Sequence, residues 1–176
     1  SETYTAYTTQ NVDFNTHLLR YSYQSLATPA TLFEYDMAQR TQRVLKTQEV
    51  IDPHFSSSNY TEKRLWATAD DGVKVPISVI YRKDISLNGN NPLLLYGYGA
   101  YGVTINPYFS SSRLSLLDRG FIFAIAHVRG GEYLGRQWYE GGKLLKKKNT
   151  FSDFIACSRY LIAEGYTSPA HLYAEG

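Results

Sequence analysis

A single cysteine, Cys157, is all the thiol chemistry this 176-residue sequence contains. An internal disulfide needs two, so no disulfide framework holds the fold, and a reducing compartment suits it. One cysteine cannot complete a zinc site either, and His17, His54 and His171 stand at no spacing that metal ligation uses. Neither a metal nor another cofactor is expected. An excess of one charge is also missing. Eighteen Lys and Arg against sixteen Asp and Glu leave a formal net charge of +2, which argues for neither a nucleic-acid nor a membrane partner. No apolar run approaches the length of a membrane span, and the first residues carry no basic, apolar, small-residue leader. The expected compartment is the cytoplasm, with the periplasm left open because Ser1 need not be the natural start.

Tyrosine is the abundant residue, with sixteen copies. Its ring packs in sheets and interfaces while its hydroxyl still finds water or a partner. The chain is long enough for one ordinary domain or two small ones. Residues 1 to about 50 read as strands. Alternation over 16–25, 31–36 and 43–48, punctuated by Thr28-Pro29 and a turn at 37–40, predicts three short antiparallel strands. These amount to one blade or a piece of a sandwich. The polar, Pro-containing stretch 51–59 is the expected domain boundary.

Beyond it the pattern changes. Residues 60–68 and 74–81 flank Asp70-Asp-Gly72, a hairpin signal, and Pro76 predicts that the second strand lies at an edge or a bulge. Leu93 to Tyr96 and Phe121 to Ala126 are unbroken apolar runs, as in strands covered on both faces of a parallel sheet. A helix is predicted over 112–119, closed by Gly120, and a longer one over 150–164, closed by Gly165 and Pro169. In the longer helix Phe151, Phe154, Ile155, Ser158, Leu161 and Ile162 share one face, and Thr150 with Asp153 reads as a capping box. Residues 171–176 read as a short buried strand ending on glycine. Strand, helix, strand, helix, strand after residue 90 makes the fold class α/β.

Three segments carry candidate chemistry. Tyr96-Gly-Tyr-Gly-Ala-Tyr-Gly102 follows a buried strand, at the end of a sheet where ligands bind. Its glycines permit a sharp turn and close approach, and a Tyr hydroxyl there can stabilise a developing oxyanion. The alternative is a purely structural aromatic-glycine turn. Gly97, Gly99 and Gly102 also spell G-x-G-x-x-G, but the loop runs on to Pro107 without clearly opening a helix, so no dinucleotide is implied. His127, at the end of the second apolar run, is either a base or a hydrogen-bonded core residue. The final strand ending at Gly176 is how a G-x-S-x-G nucleophile elbow begins, with its serine about two positions further on. Lys143 and Lys146 to Lys148 form the only basic run, read as a solvated face.

Four stretches together resemble the prolyl oligopeptidase family of serine peptidases, and more closely its oligopeptidase B (protease II) branch. They are Leu94-Leu-Tyr-Gly-Tyr-Gly-Ala-Tyr-Gly102, residues 110–120, His127-Val-Arg-Gly-Gly-Glu-Tyr-Leu-Gly135 and residues 138–151, and the likeness runs from about residue 20 to the end. The resemblance implies the first part of an α/β-hydrolase domain (51–176) preceded by strands of the last blade of a β-propeller (1–50). It implies that the elbow would start at Gly176 and that the nucleophile, acid and base all lie further on, so that the 176 residues alone are inactive. By position in the family's Y-G-Y-G loop, Tyr98 is the oxyanion donor and Tyr101 lines the substrate pocket. Asn106 and Tyr108 match positions where some oligopeptidase B enzymes carry acids that hold basic substrate residues.

The implied activity is hydrolysis of short peptides after Arg or Lys through an acyl-enzyme, with post-proline cleavage as the alternative. From a different class, a non-catalytic peptide- or polyanion-binding module would use the tyrosine-rich strands and the basic run. The remainder of the same polypeptide is an expected partner. A lone blade and an uncovered last strand lead us to expect a poorly folded isolated segment.

Overall fold

The computed structural model describes residues 2–176. The first sheet is an antiparallel meander of β1 (Tyr4–Thr8), β2 (Leu18–Ser25), β3 (Thr31–Asp36) and β4 (Thr41–Thr47), in that spatial order. Four strands stand where the alternation predicted three. The additional one, β1, is mostly exposed, so burial imposed no alternation on its sequence. Cross-strand pairs hold the meander. Tyr4 stacks on Tyr23 with ring centroids 5.5 Å apart, and Tyr21 on Phe33 at 5.2 Å. Glu34 is buried between Arg20 and Arg43 on the flanking strands, at 3.0 and 2.6 Å. Hydrogen bonds from Arg43 and then Arg20 hold its carboxyl below the usual carboxylate range.

The second sheet contains β5 (Tyr60–Thr68), β6 (Lys74–Arg82), β7 (Leu93–Tyr96), β8 (Ile122–Ala126) and β9 (Leu172–Glu175), in the order β5-β6-β8-β7-β9. The hairpin β5–β6 turns at Gly72, whose φ of +82° suits a residue without Cβ. β7 runs parallel to both β8 and β9, while β6 joins β8 antiparallel. Pro76 therefore lies in an interior strand, contrary to the edge position expected of it. Its ladder with β8 begins one residue later, at Ile77, and Pro76 contributes only its carbonyl, which accepts from the His127 N–H at 3.0 Å. No donor is required of it there.

Helices α1 (Ser111–Leu117) and α3 (Lys148–Ala163) cover opposite faces of this sheet, and a short α2 (Arg136–Glu140) precedes α3. Successive residues of the apolar strands alternate in destination. Leu93, Leu95, Ile122, Ala124 and Ala126 join Cys157 and Leu161 of α3 in one core; Phe123 and Ile125 join Leu114 and Leu117 of α1 in the other. That double cover explains the unbroken apolar runs. The second core also takes in Leu26 and Ala27, which tie the first sheet to it. Glu62 of β5 completes that junction, accepting from the Ala27 N–H at 2.8 Å and the Ser25 hydroxyl at 3.0 Å.

Two expectations about the last third are corrected. The buried face of α3 is Thr150, Asp153, Ala156, Cys157 and Leu161, whereas Phe151 is 61% and Ile155 48% exposed. The strand β9 is an edge and mostly exposed, not buried. Truncating a fully buried residue of the first core, Leu95→Ala or Leu161→Ala, should lower the unfolding free energy of the full-length protein by about 2–5 kcal/mol, measured by urea titration.

Candidate active site

The loop after β7 begins at Gly97, whose N–H donates to the Glu175 carbonyl at 3.0 Å and so lies against the end of β9. A Cβ on Gly97 would come within 2.8 Å of the Phe154 ring, and one on Gly176 would collide with the Gly97 carbonyl. Between these close approaches, Gly97, Tyr98, Val128, Phe151, Phe154 and Gly176 line a cavity of about 320 Å3. Tyr98 is 41% exposed there, and none of the described residues bonds its hydroxyl. The loop leaves through Gly102, whose N–H donates to the Gly130 carbonyl at 3.0 Å.

A buried ion pair forms the seat of this loop. Arg129, just past β8, sends Nε and its own backbone N–H to Asp153 Oδ2, both at 2.9 Å, and Nη2 to Oδ1 at 2.6 Å. Asp153 is wholly buried and Arg129 nearly so. The remaining guanidinium nitrogen, Nη1, reaches Asp71 in the β5–β6 turn at 2.6 Å. That bond holds the Asp71 carboxyl below the usual range, while the bond with Asp153 drives the Arg129 guanidinium upward. One turn before Asp153, the Thr150 hydroxyl donates to the Arg129 carbonyl at 2.7 Å. Thr150 and Asp153 are thus not a capping box: α3 starts at Lys148, and both side chains point inward to Arg129. Gly130 follows with φ +98°, and a Cβ there would collide with the Gly99 carbonyl, so the two segments pack backbone to backbone.

His127 is the core residue, not a base. Its Nε2 is hydrogen-bonded to the Ser78 hydroxyl at 2.7 Å, its ring stacks on Tyr133 at 3.6 Å, and its carbonyl accepts from Trp138 Nε1. Burial, aided by the Arg64 charge, pushes its pKa down to about 3. The basic run is not uniformly solvated either. Lys146 and Lys148 are exposed, but Lys147 is half-buried with its ammonium on the Gly99 carbonyl.

The four residues singled out from sequence fall in three places. Tyr98 lines the cavity beside Gly176. Tyr101, with φ +55° and 86% exposed, borders a second cavity of about 320 Å3 with Tyr139, Lys143 and Lys147. Asn106 and Tyr108 lie on the α1 side of the sheet, in a cavity of about 520 Å3 with Tyr96, Arg113 and Glu175. There Asn106 Nδ2 donates to the Tyr108 hydroxyl at 3.1 Å, and Arg113 donates to the Tyr108 carbonyl at 2.9 Å. Burial lowers the Arg113 pKa to about 10. The Arg129, Asp153 and Thr150 cluster went unrecognised in sequence, because its spacing within α3 coincides with that of a helix cap.

Residues 107–176 match the family model described as the prolyl oligopeptidase family. Over those residues the chain is similar to that family. Its fold is therefore strands of a propeller blade followed by the first part of an α/β-hydrolase domain. Among curated relatives, dipeptidyl aminopeptidase BI of Pseudoxanthomonas mexicana is 46% identical over 94% of this chain, and protease 2 of Moraxella lacunata 40% identical over 98%. Oligopeptidase B from Trypanosoma brucei, solved in a closed form with covalently bound antipain, superposes over the whole chain with a TM-score of 0.91 at 47% identity. The chain spans about a quarter of the length of these family members, 23% and 25% of the two curated proteins and 25% of the solved one. The family's members named here are serine peptidases.

Two measurements test this geometry in the full-length protein. Asp153→Asn strips the countercharge from a buried guanidinium and should destabilise the fold by about 3–5 kcal/mol in chemical denaturation. His127, with its folded pKa near 3 and an unfolded value of about 6.5, binds its proton more readily once unfolded. Its contribution is complete above pH 6.5 and is lost as pH falls toward 3. Between pH 7 and 5, replacing it by Gln should flatten the pH dependence of stability by up to about 1.4 kcal/mol per pH unit.

Proposed function

We propose that this chain supplies the oxyanion-binding wall of a serine oligopeptidase that hydrolyses short peptides after Arg or Lys. The nucleophilic serine belongs to an elbow opening at Gly176, and the catalytic Asp and His stand further on. Attack on the scissile carbonyl forms a tetrahedral intermediate whose oxygen carries the negative charge, and collapse of that intermediate gives an acyl-enzyme. Tyr98 donates its phenolic proton to that oxygen as a hydrogen bond, beside a backbone N–H following the serine. The 176 residues alone bring no nucleophile and have no turnover.

The observation that carries this reading is the bond from the Gly97 N–H to the Glu175 carbonyl, which brings Gly176 into the same cavity as Tyr98. A residue following Gly176 enters the sheet's carboxyl end, where the Tyr98 hydroxyl is free to donate. The preference for basic residues rests on likeness to oligopeptidase B and protease 2. A second reading, release of dipeptides from a free amino terminus, is favoured by likeness to dipeptidyl aminopeptidase BI.

In the full-length enzyme, Tyr98→Phe should lower kcat by about 100- to 1000-fold, with KM little changed. An unaltered kcat would remove Tyr98 from the mechanism. Chromogenic peptides ending in Arg, Lys or Pro, each with a blocked and a free amino terminus, separate the specificities. Turnover of blocked Arg and Lys peptides supports the first reading. Turnover confined to free dipeptides supports the second, and preference for Pro overturns the basic specificity.

A further inference from the structure

The residue following Tyr98 has an unusual partner. Gly99 adopts φ +65°, and its carbonyl faces side chains at the start of α3. Two side chains approach that oxygen: Lys147 Nζ at 2.5 Å and Thr150 Oγ1 at 3.4 Å. Thr150 has one hydroxyl proton, and the Arg129 carbonyl at 2.7 Å is its nearer acceptor. The Gly142 carbonyl, at 3.3 Å from the same hydroxyl, competes as well. Lys147 is therefore the donor on which the Gly99 carbonyl depends.

Lys147 is itself well fixed. It stands at the position preceding α3, its backbone N–H donates to the Leu144 carbonyl at 3.0 Å, and its ammonium lies 5.8 Å from the centre of the Phe151 ring. Among the described residues no carboxylate pairs with it, whereas Lys143 nearby is paired with Glu140 at 2.6 Å. Its charge is thus committed to a peptide oxygen, and a hydrogen bond from an ionised donor is stronger than a neutral one.

We propose that Lys147 is a positioning residue for oxyanion stabilisation: by gripping the Gly99 carbonyl it fixes the peptide after Tyr98 and so the direction in which the phenol points. This rests on the assignment of Tyr98 as oxyanion donor. The loop contains three glycines in six residues, Gly97, Gly99 and Gly102, and has little intrinsic preference for one conformation. Without the ammonium the carbonyl loses its donor, the loop samples other conformations, and the Tyr98 hydroxyl is aligned only part of the time. Such a loss falls on the transition state and not on substrate binding.

The test is a double-mutant cycle in the full-length enzyme, with kcat and KM measured for Lys147→Met, Tyr98→Phe and the pair. Lys147→Met should lower kcat about tenfold or more while KM changes less than about twofold. Lys147→Arg, which keeps a charged donor, should restore most of the rate. In the Tyr98→Phe background, Lys147→Met should change kcat by less than about twofold, since there is no hydroxyl left to align. An equal loss in both backgrounds would make Lys147 a general structural residue and overturn the proposal, as would an unchanged kcat in the single variant. Should Lys147→Met be recovered unfolded, Lys147→Gln enters the same cycle with the same coupling expected. If Tyr98→Phe alone leaves kcat unchanged, the Tyr98 assignment fails first, and the proposal that rests on it fails with it.

Discussion

The Tyr98 end of the second sheet is organised around the buried pair of Arg129 and Asp153. Removing two charges from water is costly, and the attraction between them offsets that cost only when geometry is good and every donor is used. Here both carboxylate oxygens are met by Arg129, one of them by its Nε and its own backbone N–H together. The last guanidinium nitrogen leaves the pair and reaches Asp71 at the surface. One residue thereby joins the end of β8, the second turn of α3 and the β5–β6 turn. The Tyr98 loop rests on the first two of these, so the position of a surface loop is set by a contact inside the protein.

From that pair the constraint passes outward in short steps. Asp153 fixes the phase of α3 about its axis, which turns Thr150 toward the Arg129 carbonyl and brings Lys147 under Gly99. The glycines at 99 and 130 allow the two backbones to meet with no side chain between them. On the far face of the sheet the segment carrying Asn106 and Tyr108 is held differently. The Phe109 N–H donates to Gln24 of β2, and Phe109 packs edge-on against Phe55 at 5.7 Å. That wall is therefore referenced to the first sheet, and the Tyr98 wall to α3.

The legible part of the fold is the part that burial writes into hydrophobicity. The apolar runs in β7 and β8, the hairpin around Gly72 and the glycine closing α1 all follow from solvent exclusion or backbone sterics. α3 was misread for the opposite reason. A helix face is inferred by assuming that apolar residues point inward, yet Asp153 and Thr150 occupy the inner face because Arg129, which lies outside the helix, supplies their partner. Phe151 and Ile155 were then displaced outward. A spacing of three residues serves a helix cap and an inward-facing pair equally well, and only the third partner, 24 positions away from Asp153, tells them apart. Tyr98 stands out in sequence through its loop motif, while Lys147 is hidden among neighbouring lysines that do point to solvent.

A glycine-rich loop is a demanding place from which to aim a phenol. Glycine loses the most conformational freedom on folding, so a loop built on it gains the turns it needs and surrenders local stiffness. The stiffness has to come from what the loop touches. Three contacts supply it at nearly regular intervals: the Gly97 N–H on the Glu175 carbonyl, the Lys147 ammonium on the Gly99 carbonyl, and the Gly102 N–H on the Gly130 carbonyl. Each holds main chain and none holds a tyrosine ring, which leaves the Tyr98 hydroxyl unengaged while its backbone is fixed. In the proposed role of oxyanion donor, a hydroxyl arranged in this way is ready for charge that develops only during reaction, because no bond within the protein must break before it can act.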